Sequence, residues 1–277
     1  MEQSINLSED VQKRLSNIDW DAVKSEFGIS RDSVMKNPTV ARQLAYGQYT
    51  DLVPGATENL SGQFSMRAYP QGEGKSWKVK CYTMEKTKSP EDDLYLYGHK
   101  ISSEQAKKAL LERTDWLGSD GERKYGFANA NAGKPIAIEI DGRKEQFLVS
   151  IHQPTNRVVG MAVDQVKSYF LDAEGQARGR SLYGVEFTAE QAQAYAEGKV
   201  VRLDGCRTKE GEKFSCYTQF DAAQRQVVPC HPTWIKEALK AGTDLGLGPQ
   251  KQAEQQREHK QETRQEEKTV KTRSHKL

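Results

Sequence analysis

Apolar residues recur at helical spacing through the first part of the chain. Val11, Leu15 and Ile18 follow a capped helix start and predict a first helix. Three further short helices are predicted over residues 19–27, 30–35 and 39–46. The next segment, 47–59, contains a Pro-Gly pair and is predicted to be a loop. The N-terminal part is therefore expected to be a small helical bundle.

Strict alternation of apolar and polar residues begins after residue 60. Residues 63–69 and 76–82 alternate and predict a β-hairpin around a glycine-rich turn. The polar segment 83–93 is predicted to be a linker. Two three-stranded meanders are predicted farther along, over residues 135–141, 146–152 and 157–163, and over residues 200–206, 214–220 and 227–230.

One motif occurs twice. Leu96-Tyr97-Gly98 and Glu104-Gln105-Ala106 return 86 residues later as Leu182-Tyr183-Gly184 and Glu190-Gln191-Ala192. In each copy a Ser or Thr precedes the Glu and can cap a helix, and the Glu favours the positive end of the helix dipole. This spacing exceeds that of solenoid repeats and predicts two duplicated modules, each a helix followed by a meander.

The pattern as a whole predicts an α+β fold with four parts. Residues 1–93 form the helical and hairpin region, and residues 94–180 form the first module, with an irregular insertion at 114–133. Residues 181–248 form the second module and end in a helix that begins after Thr233. Residues 249–277 are almost free of apolar side chains, so this tail is expected to be disordered.

The charge is nearly balanced, with 41 basic and 39 acidic residues and a net charge of +2. Residues 250–277 hold eight basic and five acidic residues, so the tail alone is +3 and the body is slightly acidic. A body of this balance has little long-range attraction for a polyanion. Any association with nucleic acid should therefore be weak, independent of sequence, and carried by the tail and by local basic residues.

The composition also favours a cytoplasmic protein without a cofactor. The four cysteines form no CxxC pair, and the sequence has neither a signal-peptide pattern at its start nor an apolar run long enough to span a bilayer. A zinc site around Cys206, Cys216, Cys230 and His231 lacks the ligand pairs two to four residues apart that such sites use. We expect no metal, no cofactor and no membrane insertion.

Two groups of residues suggest specific functions, DNA recognition and catalysis. The helices on either side of Gly28 could form a helix-turn-helix that reads DNA, or simply a packed pair of helices, which their acidic residues favour. Asp92, Asp93 and His152 could serve metal-assisted or acid–base chemistry, or could belong to a solvated linker and a sheet edge. Phosphate-loop and nucleophile-elbow motifs are absent from the sequence.

Basic residues also alternate with aromatic residues on the predicted strands. An open sheet with this composition can follow a nucleic-acid backbone and stack bases. The opposite interpretation places the aromatic residues in the core, and the alternation of Trp77 with the neighbouring lysines favours it for that tryptophan. The residues predicted as possible nucleic-acid contacts are Arg67, Lys78, Lys80, Arg202, Arg207 and Arg225.

The second repeat and the N-terminal part resemble known families. The repeat carries Tyr183-Gly184, Phe187-Thr188, Glu190-Gln191-Ala192, Glu197-Gly198-Lys199, Lys209, Gly211, Phe214, Phe220 and Arg225. These residues resemble the bacterial domain-of-unknown-function family numbered thirty-nine forty-five. The stretch from Ile18-Asp19-Trp20 through Gly28-Ile29-Ser30 to the Trp77 hairpin resembles its usual companion, the family numbered forty ninety-nine. The first repeat departs from the pattern, with Leu110-Leu111-Glu112-Arg113 in place of Glu-Gly-Lys.

This resemblance implies a setting rather than a reaction. Proteins of these families typically come from conjugative and other mobile elements of gut bacteria, and some relatives occur beside or fused to topoisomerase-like proteins. The families transfer no catalytic residues. We therefore expect a non-enzymatic accessory or adaptor protein with an unidentified protein partner and weak contact with nucleic acid. The alternative is a subunit of a DNA-processing enzyme that uses Asp92, Asp93 and His152.

Overall fold

A computed structural model describes residues 7–72, 75–117, 123–140 and 142–240. Its helices are short, and most begin at a side chain that accepts a hydrogen bond from the first turn, as Ser8, Asp19, Ser30 and Asn37 do. The helices are α1 (Glu9–Leu15), α2 (Trp20–Phe27), α3 (Arg31–Met35), α4 (Pro38–Ala45), α5 (Glu104–Leu111), α6 (Val163–Phe170), α7 (Ala189–Ala196) and α8 (Pro232–Lys240).

The strands form small sheets, three of three strands and three of two strands among the described residues. They are β1 (Val53–Ala56), β2 (Ser61–Tyr69), β3 (Lys78–Tyr82), β4 (Tyr95–Leu96), β5 (His99–Lys100), β6 (Arg113–Leu117), β7 (Arg123–Phe127), β8 (Ile136–Ile140), β9 (Arg143–His152), β10 (Arg157–Ala162), β11 (Ser181–Leu182), β12 (Val185–Glu186), β13 (Val201–Arg207), β14 (Lys213–Asp221) and β15 (Gln226–Pro229). The chain combines these helices with small sheets whose strands pair antiparallel, which confirms the α+β prediction.

The chain divides into two compact units that are not continuous in sequence. The first unit contains residues Met1–Lys100, Ser150–Gly160 and Ala222–Arg225, and the second contains Ile101–Val149, Met161–Asp221 and Gln226–Leu277. Strands β9 and β10 contribute residues to both units. The four-part division stays a prediction.

The first unit packs its four N-terminal helices on one side of the sheet β1-β2-β3. Leu15, Ile29, Leu44 and Met66 are completely buried in this core. Gly28 ends α2 with a φ of +68°, and a Cβ atom there would lie 1.9 Å from the carbonyl oxygen of Ala56. Only glycine allows this approach, so Gly28 fixes how the helices meet the sheet.

The second unit contains a cluster of aromatic rings. The ring of Phe170 stacks on Tyr195 with centroids 5.4 Å apart and meets Phe187 and Phe220 edge-on. The Tyr195 hydroxyl is 2.7 Å from the Thr218 hydroxyl, so its polar group is satisfied inside the core. A second cluster forms around Trp234 and Ile235 of α8.

The two repeats share the same order of elements. Each begins with a two-stranded hairpin whose turn is Tyr-Gly, and continues with a helix, a three-stranded meander and a second helix. Tyr97 and Tyr183 have φ angles of +52° and +51°, and the glycines that follow are also positive. Consecutive positive φ values are typical of the tightest hairpin turns, so the repeated motif specifies a turn as well as a helix start.

The structure corrects several predicted elements. Residues 53–56 are strand β1 rather than loop, because they pair with β2 at the edge of the sheet. The insertion 114–133 overlaps the hairpin β6–β7 instead of being irregular. Helix α6, which directly follows β10, was not predicted. The predicted disordered tail lies outside the described residues.

Candidate nucleic-acid interface

One face of the sheet in the first unit carries basic and aromatic side chains. Arg67 of β2 lies opposite Lys80 of β3, and Tyr69 lies opposite Lys78. Residues opposite each other in an antiparallel pair point to the same side, and so do residues two apart. The two lysines are exposed, while the arginine and tyrosine are partly covered. These four residues together with Tyr82, which is opposite Ser65, are called the basic face below.

The intervening residues point the other way. Met66 and Ala68 of β2 are buried, and Val79 and Cys81 of β3 pack against the same hydrophobic core. Trp77 also packs there. The core interpretation of Trp77 is thus confirmed, and the alternation of β3 separates its lysines from the apolar side.

Cations and aromatic rings are layered on the basic face. The guanidinium carbon of Arg67 lies 5.0 Å from the ring centre of Tyr49 and 5.1 Å from that of Tyr69. The ammonium group of Lys80 lies 5.5 Å from the centre of the same Tyr69 ring. A cation–π contact contributes about 0.5–1 kcal/mol at an exposed position and more where it is desolvated, as beside the buried Tyr49 ring. They hold the planar guanidinium in a defined orientation.

A second arginine extends the layer. The Arg157 guanidinium lies 5.1 Å from the ring centre of Tyr82 and forms an ion pair of 2.7 Å with Glu85. The hydroxyl groups of Tyr82 and Tyr69 are 2.7 Å apart. Burial, reinforced by this hydrogen bond, raises the pKa of Tyr82 above its usual value, so the phenol stays neutral. The Tyr82 ring also packs against the buried cluster of Tyr49, Val159 and Ala223, so it is partly covered.

Two arginines meet at one backbone oxygen next to this layer. Arg67 Nε donates to the Gly47 carbonyl over 3.2 Å, and Arg225 Nη1 donates to the same oxygen over 3.4 Å. Gly47 follows the C-terminal end of α4, where the partial negative charge of the helix attracts cations. Of the six predicted contact residues, the structure thus places Arg67, Lys78, Lys80 and Arg225 in the first unit.

The remaining two lie in the second unit. Arg202 is in β13 and pairs with Asp204 at 2.9 Å, which neutralises part of its charge. Arg207 ends the same strand, exposed and opposite Lys213. In the sequence, Arg202 and Arg207 could not be distinguished from the other four predicted contact residues, because all six were chosen as basic residues interspersed with aromatic residues on the predicted strands. The sequence analysis did not include Tyr49 and Arg157 among the contact residues, because Tyr49 lies in a loop and Arg157 begins a strand that is distant in sequence.

His152 lies in a buried position beside Tyr49. Only 3% of its surface is exposed, and its Nδ1 is 2.8 Å from the buried Thr155 hydroxyl. The ring centres of His152 and Tyr49 are 5.2 Å apart. Burial lowers the pKa of the imidazole to about 4, so it is neutral at pH 7. The histidine has the partners of a core residue.

The other two residues of the hypothetical acid–base site have different partners. Asp92 accepts a hydrogen bond of 2.7 Å from the Ser89 backbone, which lowers the pKa of the carboxyl group, and it also pairs with Lys86. Asp93 pairs with Lys100 at 2.8 Å. These contacts account for both carboxylates as ion pairs, one half-buried and one exposed.

The cysteines are all reduced thiols. Cys206 and Cys216 have their sulfur atoms 3.7 Å apart, and burial raises the pKa of Cys216 to about 12. Within the part of the chain that the structure describes, three or more His, Cys, Asp or Glu side chains nowhere gather closely enough to hold a metal ion.

The proposed helix-turn-helix has a short second helix. Helix α3 has five residues, and its Val34 is completely buried, as is Ile29 before it. Ser30 caps this helix, and Trp20 and Phe27 of α2 pack against the same core. These contacts are those of a packed helical pair.

Across residues 7–72, 75–117, 123–140 and 142–240, every helix falls short of the length and apolar character needed to cross a bilayer.

Comparison with known families finds one match. Residues 180–228 match the family described as "Protein of unknown function (DUF3945)", which confirms the predicted resemblance of the second repeat. The matched segment contains Arg202, Arg207 and Arg225. No curated protein and no solved structure matches the chain. The resemblance of the N-terminal part and the mobile-element setting stay predictions.

Proposed function

We propose that the protein is a non-enzymatic accessory factor of a bacterial mobile element that binds single-stranded nucleic acid through the basic face. The observation that carries this proposal is the register of β2 and β3, which sets Arg67 against Lys80 and Tyr69 against Lys78 on one side of the sheet. As an accessory factor, the protein would also bind a partner protein. The mobile-element setting rests on the family resemblance alone.

The chemistry of the basic face suits a flexible strand better than a duplex. Lysines two apart on a strand are about 7 Å from each other and can follow successive phosphates. Aromatic rings between them offer stacking that is worth about 1–3 kcal/mol per base and does not depend on sequence. A duplex hides the faces of its bases inside its stack, so it could use only the charges.

The affinity is expected to be low. The body of the protein carries a slight net negative charge, so attraction must come from the local arrangement of a few cations. Each phosphate contact on a single strand adds about 0.7 to the slope of log affinity against log salt. Contacts from Lys78 and Lys80 should therefore account for about 1.4 of that slope.

Fluorescence anisotropy with a labelled oligothymidylate tests this proposal. The double variant Lys78→Ala/Lys80→Ala should bind more weakly and with a salt slope lower by about 1.4. The control variant Lys144→Ala/Lys209→Ala removes two other exposed lysines and the same net charge. Equal effects of the two double variants, or no binding by the wild type at low salt, would refute the role of the basic face.

A further inference from the structure

Two positive side chains from distant parts of the chain converge beside the basic face. Arg67 comes from β2, and Arg225 comes from the turn between β14 and β15. Both donate to the carbonyl oxygen of Gly47, over 3.2 Å and 3.4 Å. Each guanidinium group has five N–H donors, so two of them held at one oxygen set several donors next to each other, an arrangement that suits an anion with several acceptor oxygens.

The backbone at Arg225 is unfavourable for an arginine. Its φ is +50°, in the left-handed region that residues with a Cβ atom rarely adopt. The corresponding turn of the first repeat, between β9 and β10, has Asn156 at +55°, and asparagine is well tolerated there. The second repeat thus keeps a strained conformation at the residue whose guanidinium reaches Gly47. Such strain, once observed, points to a function.

Gly47 leaves room for this convergence. Its own φ is +65°, and a Cβ atom there would lie 3.3 Å from both Arg225 Nη1 and the Ala68 carbonyl oxygen. Any larger residue would press on the guanidinium. The glycine after α4 therefore serves the approach of the arginine in addition to ending the helix.

We propose that Arg67 and Arg225 form a binding site for one phosphate group, which we call the phosphate notch. The inference rests on the proposed function, because the notch would take one phosphodiester of a strand whose bases stack on the basic face. Planar guanidinium groups bind phosphate with paired hydrogen bonds, which a lysine cannot reproduce. The contacts of the Arg67 guanidinium with the Tyr49 and Tyr69 rings restrict the directions in which its donors can point.

The simpler explanation is that the two arginines only cap the negative end of α4. Capping predicts an effect on stability alone, whereas a phosphate notch predicts a ligand. The two explanations separate at Arg225→Asn, which places the residue of the first repeat at a backbone angle that suits it. This variant should fold normally, because relief of strain offsets the lost contact with Gly47.

Two measurements on the full chain test the phosphate notch. In the first, inorganic phosphate is compared with chloride at equal ionic strength, and the melting temperature is recorded. Phosphate should raise the melting temperature of the wild type by more than that of Arg225→Asn, because binding at the notch adds to the general stabilising effect of phosphate on folded proteins. Arg225→Lys should respond weakly, and Arg143→Asn, which removes an exposed arginine elsewhere, should respond like the wild type.

The second measurement is the salt slope of oligothymidylate binding. Loss of one phosphate contact in Arg225→Asn should lower the slope by about 0.7. An unchanged slope together with an unchanged response to phosphate would overturn the notch and leave α4 capping as the role of both arginines. That outcome leaves the Lys78 and Lys80 test untouched. A phosphate response that depends on Arg225, in a chain that binds no oligonucleotide, would instead refute the proposed function and identify a site for free phosphate.

Discussion

His152 should make the first unit sensitive to mild acid. Its imidazole pKa falls from an ordinary value of 6.5 to about 4 in the folded protein, because burial opposes the charged form. Between pH 6.5 and pH 4, the His152 imidazole is therefore protonated in the unfolded chain but not in the folded chain. The contribution of His152 to the free energy of unfolding is complete above pH 6.5 and is lost as the pH falls toward 4.

The size of the effect follows from the two pKa values. At pH 5.5 the loss is about 1.4 kcal/mol, and it reaches roughly 3 kcal/mol at pH 4. The Thr155 hydroxyl and the Tyr49 ring beside the imidazole are both neutral, so neither offers a negative charge that would stabilise the imidazolium. The folding constant should therefore change about tenfold between pH 7.5 and pH 5.5.

Urea unfolding at the two pH values, followed by tryptophan fluorescence, provides the assay. In His152→Gln, which keeps a hydrogen-bonding group near Thr155, the wild-type loss between pH 7.5 and 5.5 should shrink by about 1.4 kcal/mol. His99→Gln is the matched control, because that histidine is exposed on β5 of the same unit. If His152→Gln loses as much stability in acid as the wild type, the buried neutral imidazole is not the cause.

Three further predictions concern the tail and the two cores. Deleting residues 249–277 should leave the melting temperature of the body unchanged and should nearly abolish binding to random duplex DNA. For the full chain, the slope of log affinity against log salt should not exceed about 3. A lower melting temperature after the deletion would mean that the tail packs on the body. Gly28→Ala should destabilise the protein by more than about 2 kcal/mol, because the new Cβ atom would clash with the backbone of Ala56. The control Gly175→Ala has open space around the new Cβ atom and should cost only about 1 kcal/mol. Similar losses of stability for the two variants in denaturant titrations would contradict the clash. Phe170→Ala should cost about 3–5 kcal/mol in the same titrations, because its ring is completely buried among four aromatic neighbours, and a loss below 1 kcal/mol would show that this cluster does not hold the second unit.

Local patterns in the sequence determined the element types and the duplication. Alternation along β2 and β3 was sufficient to separate exposed lysines from the core, because side chains of a strand alternate between two faces. The repeated Tyr-Gly and Glu-Gln-Ala residues marked a turn and a helix start, and both are decided by contacts within a few residues. The second repeat could also be related to its family from such local residues.

Short-range patterns were insufficient where pairing or burial decided the outcome. Strand β1 contains a Pro-Gly pair and was predicted as loop, yet the edge of β2 offers hydrogen bonds that hold it extended. His152, predicted as a sheet-edge residue, is instead almost fully buried, next to a tyrosine that is remote in sequence.

The candidate site depended on the tertiary structure for its membership. Six basic residues had equivalent patterns in the sequence, but Arg202 and Arg207 belong to the second unit. Arg225 joins Arg67 because the turn that carries it belongs to the first unit, although both flanking strands belong to the second. Tyr49 and Arg157 complete the layer from a loop and from a strand that is distant in sequence from β2 and β3. Side chains that are far apart in sequence are brought together by tertiary packing, so short-range sequence patterns cannot predict which of them converge.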